Sequence, residues 1–328
     1  HNSPHRRNIP PHLSAENSDK EVKMSFNEFY SDDDCEFRNL KFIDIAAKEY
    51  DPVESVVSGR VDVVSTLADQ TSVNALKDAP VQYFINNCDS YVSAFFNSRT
   101  LDLESRKALM GLCNPTETVD KLIGSYYSRI VSPINIRFAE YPSKVTDPYY
   151  SEQTYSIYTQ FSEAPVKNVT AYYCGKEDDI EHSILVDYKE LLSKKGVILD
   201  IVIASEEELR NAISSGKADM WIETVSDGIT IDKYDYYNGI GSMNKTGLND
   251  PEINDLTSSI RSAVGFNNKS LMISNLMKLV MQQAVEWPLY QRQEIVIYNI
   301  ETISPDSFVQ TNESDGFTYF ISKLKPND

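Results

Sequence analysis

The chain has 328 residues, 41% apolar and 24% charged, and 49 acids against 31 bases leave a formal charge of −18. That length accommodates two compact lobes at about 150 residues per domain. The acidic balance opposes nucleic-acid binding by counterion release and adhesion to anionic membranes.

No apolar run reaches the roughly 18 residues that a membrane-spanning helix needs. The N-terminal residues begin with basic character but carry no apolar stretch of the signal-peptide kind. Cys35, Cys88, Cys113 and Cys174 are scattered, with no Cys-x-x-Cys pair, and histidine is scarce, which argues against a zinc site. In an oxidising compartment Cys88 and Cys113 could form a disulfide, but four cysteines permit three connectivities and sequence does not choose among them; mostly free or buried thiols are the expectation.

Residues 1–21, with Pro4, Pro10 and Pro11, read as a loose lead-in. Strands over 22–26 and 40–45, joined through the acidic turn Ser31 to Cys35, form a hairpin. Asp51, Pro52 and Glu54 start a helix with an acidic N-cap, proline at its first position and glutamate where a capping box places it. That helix stops at Ser58-Gly59, and a strand resumes over 61–66. The same unit recurs downstream: Ser205 with Glu208 opens a helix, Ser215-Gly216 ends it, and a strand follows over 220–225. Ser58-Gly-Arg-Val-Asp62 and Ser215-Gly-Lys-Ala-Asp219 thus share one helix-to-strand grammar, which predicts two lobes of related α/β design.

Between them, two short strands lie within 81–96, turning around Asn86-Asn87. Helices follow over 103–113, with Leu109, Leu112 and Cys113 facing inward, and after the Asn114–Glu117 cap, with Val119, Leu122, Ile123 and Tyr126 at helical spacing. Residues 131–165, rich in Pro and Tyr, read as a surface loop with one short helix near 150–158. Strand 166–173, helix 180–195, strand 197–204, helix 206–214 and strand 220–225 then alternate, which implies parallel pairing through crossovers. A tyrosine-rich loop (Tyr234, Tyr236, Tyr237) follows. Asp250-Pro251 caps a helix bearing Ile253, Leu256, Ile260 and Val264; a helix over 271–285, a strand over 294–300 and a tail over 317–324 complete the chain.

The ordered set of these segments resembles the family 5 extracellular solute-binding proteins, the oligopeptide and dipeptide receptors of ABC importers. Phe26-Asn-Glu-Phe-Tyr30 resembles their Asn-x-x-Tyr strand end. Val57 to Asp62 resembles their helix-Gly-strand signature, and Phe95-Phe96-Asn97 with Arg106 their crossing into the second lobe. The segment Asn244 to Leu256 is the most specific, resembling Asn-x-x-Gly-Tyr-x-Asn-Pro-Glu-x-Asp-x-Leu with Leu248 for the tyrosine and Asn254 for the aspartate. Trp287-Pro-Leu-Tyr290 resembles the return strand.

The resemblance covers roughly residues 20–300 and implies an α/β, type II periplasmic-binding-protein-like fold of two lobes with mixed sheets. The glycine-rich strand that the family places before residue 22 is absent, so the N-terminal part of lobe one is expected to be missing. Residues 22–82 then belong to lobe one, 83–290 to lobe two with the ligand-cleft wall, and 291–328 to the return to lobe one.

What the resemblance implies functionally is a non-enzymatic extracytoplasmic receptor, a cell-surface lipoprotein or a periplasmic protein. It would close two lobes by a hinge on a small ligand, peptide before sugar, and deliver it to ABC permease subunits without a cofactor. The expected ligand-binding residues are Trp221, Glu223, Asp227, Asn97, Tyr234 and Tyr236. In the family an acid after the tryptophan strand holds the ligand's ammonium; Asp227 fits that position best and Glu223 next. The competing assignments are a solvated Asp-Gly turn, a core Trp221, a structural Asn97, a packed tyrosine loop and a helix-surface ion pair for Arg106. A sensor or interaction module on the same scaffold is the alternative function. No nucleophile elbow, P-loop, dinucleotide fingerprint or His-Glu-x-x-His sequence supports an enzyme.

Overall fold

The computed structural model describes residues 17–18, 21–25, 36–37, 39–112, 116–143, 161–227, 231–309 and 323–327. The chain divides into two units, His1–Asn86 with Glu294–Asp328, and Asn87–Gln293.

In the first unit, β1 (Asn17–Ser18), β2 (Glu21–Ser25) and β3 (Asn39–Ile43) form an antiparallel sheet in which Glu21 lies opposite Ile43. The expected hairpin is therefore present, while its acidic turn lies outside the described residues. The Asp51 carboxylate accepts the Glu54 N–H at 2.7 Å and Pro52 opens the helix Pro52–Val57, as its sequence predicts. β4 (Val63–Leu67) pairs antiparallel with the C-terminal half of the last strand, β11 (Glu286–Asn299), from Tyr298 opposite Val63 to Glu294 opposite Leu67. β5 (Val81–Asn87) also pairs with β11. A short helix Gln70–Ala75, not anticipated, starts because Asp69 accepts the Ser72 N–H at 2.7 Å.

The second unit is a mixed sheet in the order β11, β6 (Ser90–Phe96), β10 (Met220–Ser226), β8 (Asn168–Tyr173), β9 (Ile198–Ile203), and the two-residue β7 (Tyr127–Ser128) pairs with β11. β8 runs parallel to both β9 and β10, because the helices Ile180–Ser193 and Glu206–Ser214 carry the chain back between successive strands. β6 is antiparallel to β10 and to β11.

Directly opposed residues of an antiparallel pair share a face, which sorts the core. Met220 and Ile222 lie with Phe96 and Ala94, packed with Leu185, Leu192, Met277 and Val280 from the helices Ile180–Ser193 and Phe266–Gln283. Trp221 and Val225 lie with Phe95 and Tyr91 and pack with Leu209, Ala212 and Ile213 of the helix Glu206–Ser214.

The repeated sequence is a repeated structure. Gly59 and Gly216 both hold left-handed φ values, 69° and 71°. Arg60 and Val61 donate their N–H groups to the Ser55 carbonyl; Lys217 and Ala218 donate theirs to that of Ala212. An asparagine ends the antiparallel neighbour strand in each case: Asn299 N–H bonds to the Asp62 carbonyl at 2.9 Å and Asn97 N–H to the Asp219 carbonyl at 2.8 Å. Both Asn side chains then accept the N–H two residues ahead, that of Glu301 or Arg99.

Several expectations change. Residues 130–136 are not a surface loop: Ile130, Ser132, Ile134 and Asn135 are buried. Side chains meet their backbone groups there, Gln291 Oε1 accepting the Ile136 N–H at 3.0 Å and Tyr141 OH the Val131 N–H at 3.0 Å. β11 begins at Glu286 rather than 294 and runs through Pro288; a register shift between Pro288 and Tyr290 accommodates the residue that has no N–H to give. The final long helix spans Phe266–Gln283. Val264, placed on a buried helix face by periodicity, is 89% exposed because the helix Pro251–Ser262 ends before it. Tyr234–Tyr237 is one turn of helix rather than a loop. The helix near 150–158, Cys35, Cys113, the cap residues 114–115 and residues 317–322 of the tail lie outside the described residues.

Ser205 and Glu208 form the reciprocal capping box, with the Ser205 N–H donating to the Glu208 carboxylate at 2.8 Å and the Glu208 N–H to Ser205 Oγ at 3.3 Å. Ser205→Ala is expected to lower the unfolding free energy by about 1 kcal/mol in urea melts, with no change in slope.

Candidate functional site

The Trp221 strand ends where β10 delivers Asp227 into the interior of the second unit. Both carboxylate oxygens of Asp227 are used there. Oδ2 accepts the Asn135 N–H at 2.7 Å, and Oδ1 pairs with the Lys233 ammonium. Lys233 is itself buried, its Nζ donating to Tyr91 OH at 2.9 Å and lying 5.2 Å from the Tyr91 ring centre and 5.1 Å from that of Tyr236. Aromatic faces attract a cation at such distances. Lys233 sits at φ 53°, a conformation uncommon for a residue with a Cβ, immediately before the turn Tyr234–Tyr237.

Beside this pair is Glu286, wholly buried where β11 begins. Ser93 Oγ donates to its Oε1 at 2.8 Å and Tyr237 OH donates to its Oε2. Burial pushes the Glu286 carboxyl up to about 7; the nearby Lys233 charge and the hydrogen bonds from Tyr237 and Ser93 oppose that rise. Tyr91 and Tyr237 are pushed well above the ordinary phenol range, first by burial and then by the Glu286 and Asp227 charges. Tyr236, half-buried, is raised to about 12, first by burial and then by the charges of Asp227, Glu286 and Glu223. Gln291 braces the arrangement, its Nε2 donating to the Cys88 carbonyl at 2.6 Å and to Asn135 Oδ1 at 2.8 Å.

Of the six expected residues, Asp227 and Tyr236 come together around Lys233. Glu223 lies near enough for its charge to raise Tyr236 and is paired with Lys245 at 2.6 Å. Tyr234 lies under the Arg261 guanidinium at 4.0 Å, and Arg261 also binds Asp232 and Asp235. Trp221 is fully buried, stacked on Phe95 with ring centres 5.6 Å apart, and its indole N–H has no hydrogen-bond partner. Asn97 is fully buried and donates to the Ile213 and Ala218 carbonyls at 3.2 and 3.0 Å. Arg106, expected in a surface ion pair, is buried instead; it donates to the Leu101 carbonyl and twice to that of Gln283, the last residue of the helix Phe266–Gln283. A cation there complements the negative helix end.

Lys233, Glu286, Tyr91, Tyr237, Asn135 and Gln291 are absent from the expected set. Glu286 carried a usable signal, an acid between Val285 and Trp287 in an apolar stretch. Asn135 carried none, since its bond to Asp227 is made by a backbone N–H. Among the described residues no group of three or more His, Cys, Asp or Glu side chains is arranged to hold a metal, and no helix is long and apolar enough to cross a membrane.

No family model matches the sequence, and no curated protein matches it. Solved structures do. The ABC transporter substrate-binding protein CtaP of Listeria monocytogenes matches with a TM-score of 0.73 at 14% identity, over 95% of this chain and 65% of that one. HbpA2 of Haemophilus parasuis matches with a TM-score of 0.74 at 14% identity, over 94% of this chain and 62% of that one. The oligopeptide-binding protein AppA of Bacillus subtilis, solved with a nonapeptide, matches with a TM-score of 0.66 at 14% identity, over 95% and 65%. The fold is thus mixed α/β of the type II periplasmic-binding-protein kind, and the chain spans 62–65% of the length of these three proteins.

Proposed function

We propose that the chain is a solute receptor, acting outside the cytoplasm, that hands a small solute, a peptide before a sugar, to the membrane subunits of an ABC importer. The reading rests on the buried Asp227–Lys233–Glu286 network edged by Tyr236, set at the end of β10 in a fold whose solved examples include substrate-binding proteins of ABC transporters. Fixed charges held rigidly beside half-buried aromatic rings suit the capture of a polar solute, because little ordering remains to be done on binding.

Residues 83–290 serve in this reading as the ligand-reading lobe, with 22–82 and 291–328 belonging to the other. Glu223, Tyr234 and Tyr236, each half-buried, are the side chains placed to meet solute. Asp227 acts from behind them through Lys233, and Trp221 and Asn97 hold β10 and its neighbours in place. A receptor needs no chemistry beyond this.

A thermal-unfolding screen tests the proposal. A solute at 100-fold its Kd adds about 2.7 kcal/mol to the folded state, which raises the melting temperature by several degrees. Peptides are expected to produce that rise and oligosaccharides not to. The opposite result refutes the peptide assignment, and no response to either class refutes the receptor.

A further inference from the structure

We propose that the Lys233 side chain is a built-in occupant of an alkylammonium subsite, so that the solute read here presents an uncharged end, not a free ammonium, at Asp227. The inference rests on the receptor reading and narrows its solute class.

Three groups converge on the Lys233 Nζ: the Asp227 carboxylate, the Tyr91 hydroxyl at 2.9 Å, and the Tyr236 ring with its centre at 5.1 Å. A carboxylate, a hydrogen-bonding oxygen and aromatic faces are the set with which proteins take an ammonium out of water. Here a residue of the same chain supplies that ammonium, and the pair is sealed, with the Lys233 and Asp227 side chains only 3% and 2% exposed. The remaining Asp227 oxygen is taken by the Asn135 N–H.

An incoming ammonium therefore meets no open carboxylate. Joining the pair would put two cations on one acid, and expelling Lys233 would break a buried ion pair. The only other candidate acid, Glu223, is matched by Lys245 at 2.6 Å. Both carboxylates proposed to hold a ligand amine are thus answered by lysines from 233–245. An N-blocked peptide and a neutral oligosaccharide share the uncharged end that suits such a site.

Lys233→Ala removes the equivalent of propylammonium, and this defines the test. Thermal melts of the full chain are recorded with propylammonium chloride or with n-propanol. The variant is expected to gain about 3 °C or more from the amine and nothing comparable from the alcohol, while the wild-type chain responds to neither. Equal effects of amine and alcohol on the variant overturn the subsite. Should Lys233→Ala not fold, Lys233→Met, which keeps the apolar stem and lacks only the ammonium group, is read the same way with ammonium chloride against sodium chloride.

In the wild-type chain, N-acetylated trialanine is expected to raise the melting temperature, with free trialanine at least about tenfold weaker. Tighter binding of the free-amine peptide overturns the specificity claim. A wild-type chain that answers to no peptide or sugar overturns the receptor reading instead, and the propylammonium arm then still decides the subsite.

Discussion

Asp227→Ala is expected to lower the unfolding free energy by about 3–5 kcal/mol, the largest effect of any single change in the network. The loss is not the worth of the ion pair. It is the cost of leaving Lys233 charged and buried without its paired carboxylate, together with the Asn135 N–H that loses its acceptor. Adding Lys233→Met to Asp227→Ala is therefore expected to restore most of the stability, because the stranded charge is gone. Urea denaturation of the two single variants and the double variant measures the coupling. A double variant no more stable than Asp227→Ala would show that the carboxylate does its work through Asn135 and not through Lys233.

The second large effect is a dependence on pH carried by Glu286. Its carboxyl is raised from the ordinary 4.5 to about 7 in the folded chain, chiefly because burial penalises the charged form. The folded state therefore holds a proton that the unfolded state releases between these two values. Stability from this group is complete below about 4.5, declines as pH rises toward 7 and is flat above it, a total of about 3 kcal/mol at 1.36 kcal/mol per unit.

The groups facing Glu286 are Lys233, Asp227, Tyr237, Tyr91, Tyr236 and Ser93, and none of them is a histidine. Carboxyls held low elsewhere, such as Asp179 by the Lys176 N–H and the Tyr173 hydroxyl, act in the opposite sense and at lower pH, losing their contribution as they protonate. Glu286→Gln separates the two. Unfolding free energies of wild type and variant, measured from pH 5 to pH 8, are expected to diverge by about 3 kcal/mol in favour of the variant at the alkaline end. Parallel curves would mean that Glu286 is ionised throughout.

Local chemistry was legible wherever it depends on neighbours in sequence. The Asp51 and Ser205 caps, the glycines that end two helices, the alternation that makes β8, β9 and β10 parallel and the doubled Ser-Gly-basic-small-Asp grammar were all readable along the chain. Each depends on hydrogen bonds or φ values reaching no more than a few residues, or on a period set by burying one face. Where the pattern misled, a distant partner had changed the rules. Pro288 stands in a strand because a register shift tolerates it, and 130–136 is buried because Gln291 and Asp227 accept its N–H groups.

The site divides in the same way. The sequence by itself determined that an acid would follow the tryptophan strand and that tyrosines would cluster just after it, since both belong to one continuous segment. Only the tertiary structure decided what that acid does. Lys233 lies six residues from Asp227 along the chain, but Tyr91 and Glu286 reach the network from 142 residues before Lys233 and 49 residues after Tyr237. Whether a carboxylate stands open to a ligand or is already neutralised depends on which charges folding brings within a few ångströms of it. Coulombic and desolvation energies depend on that distance and on burial, and neither is encoded in sequence separation.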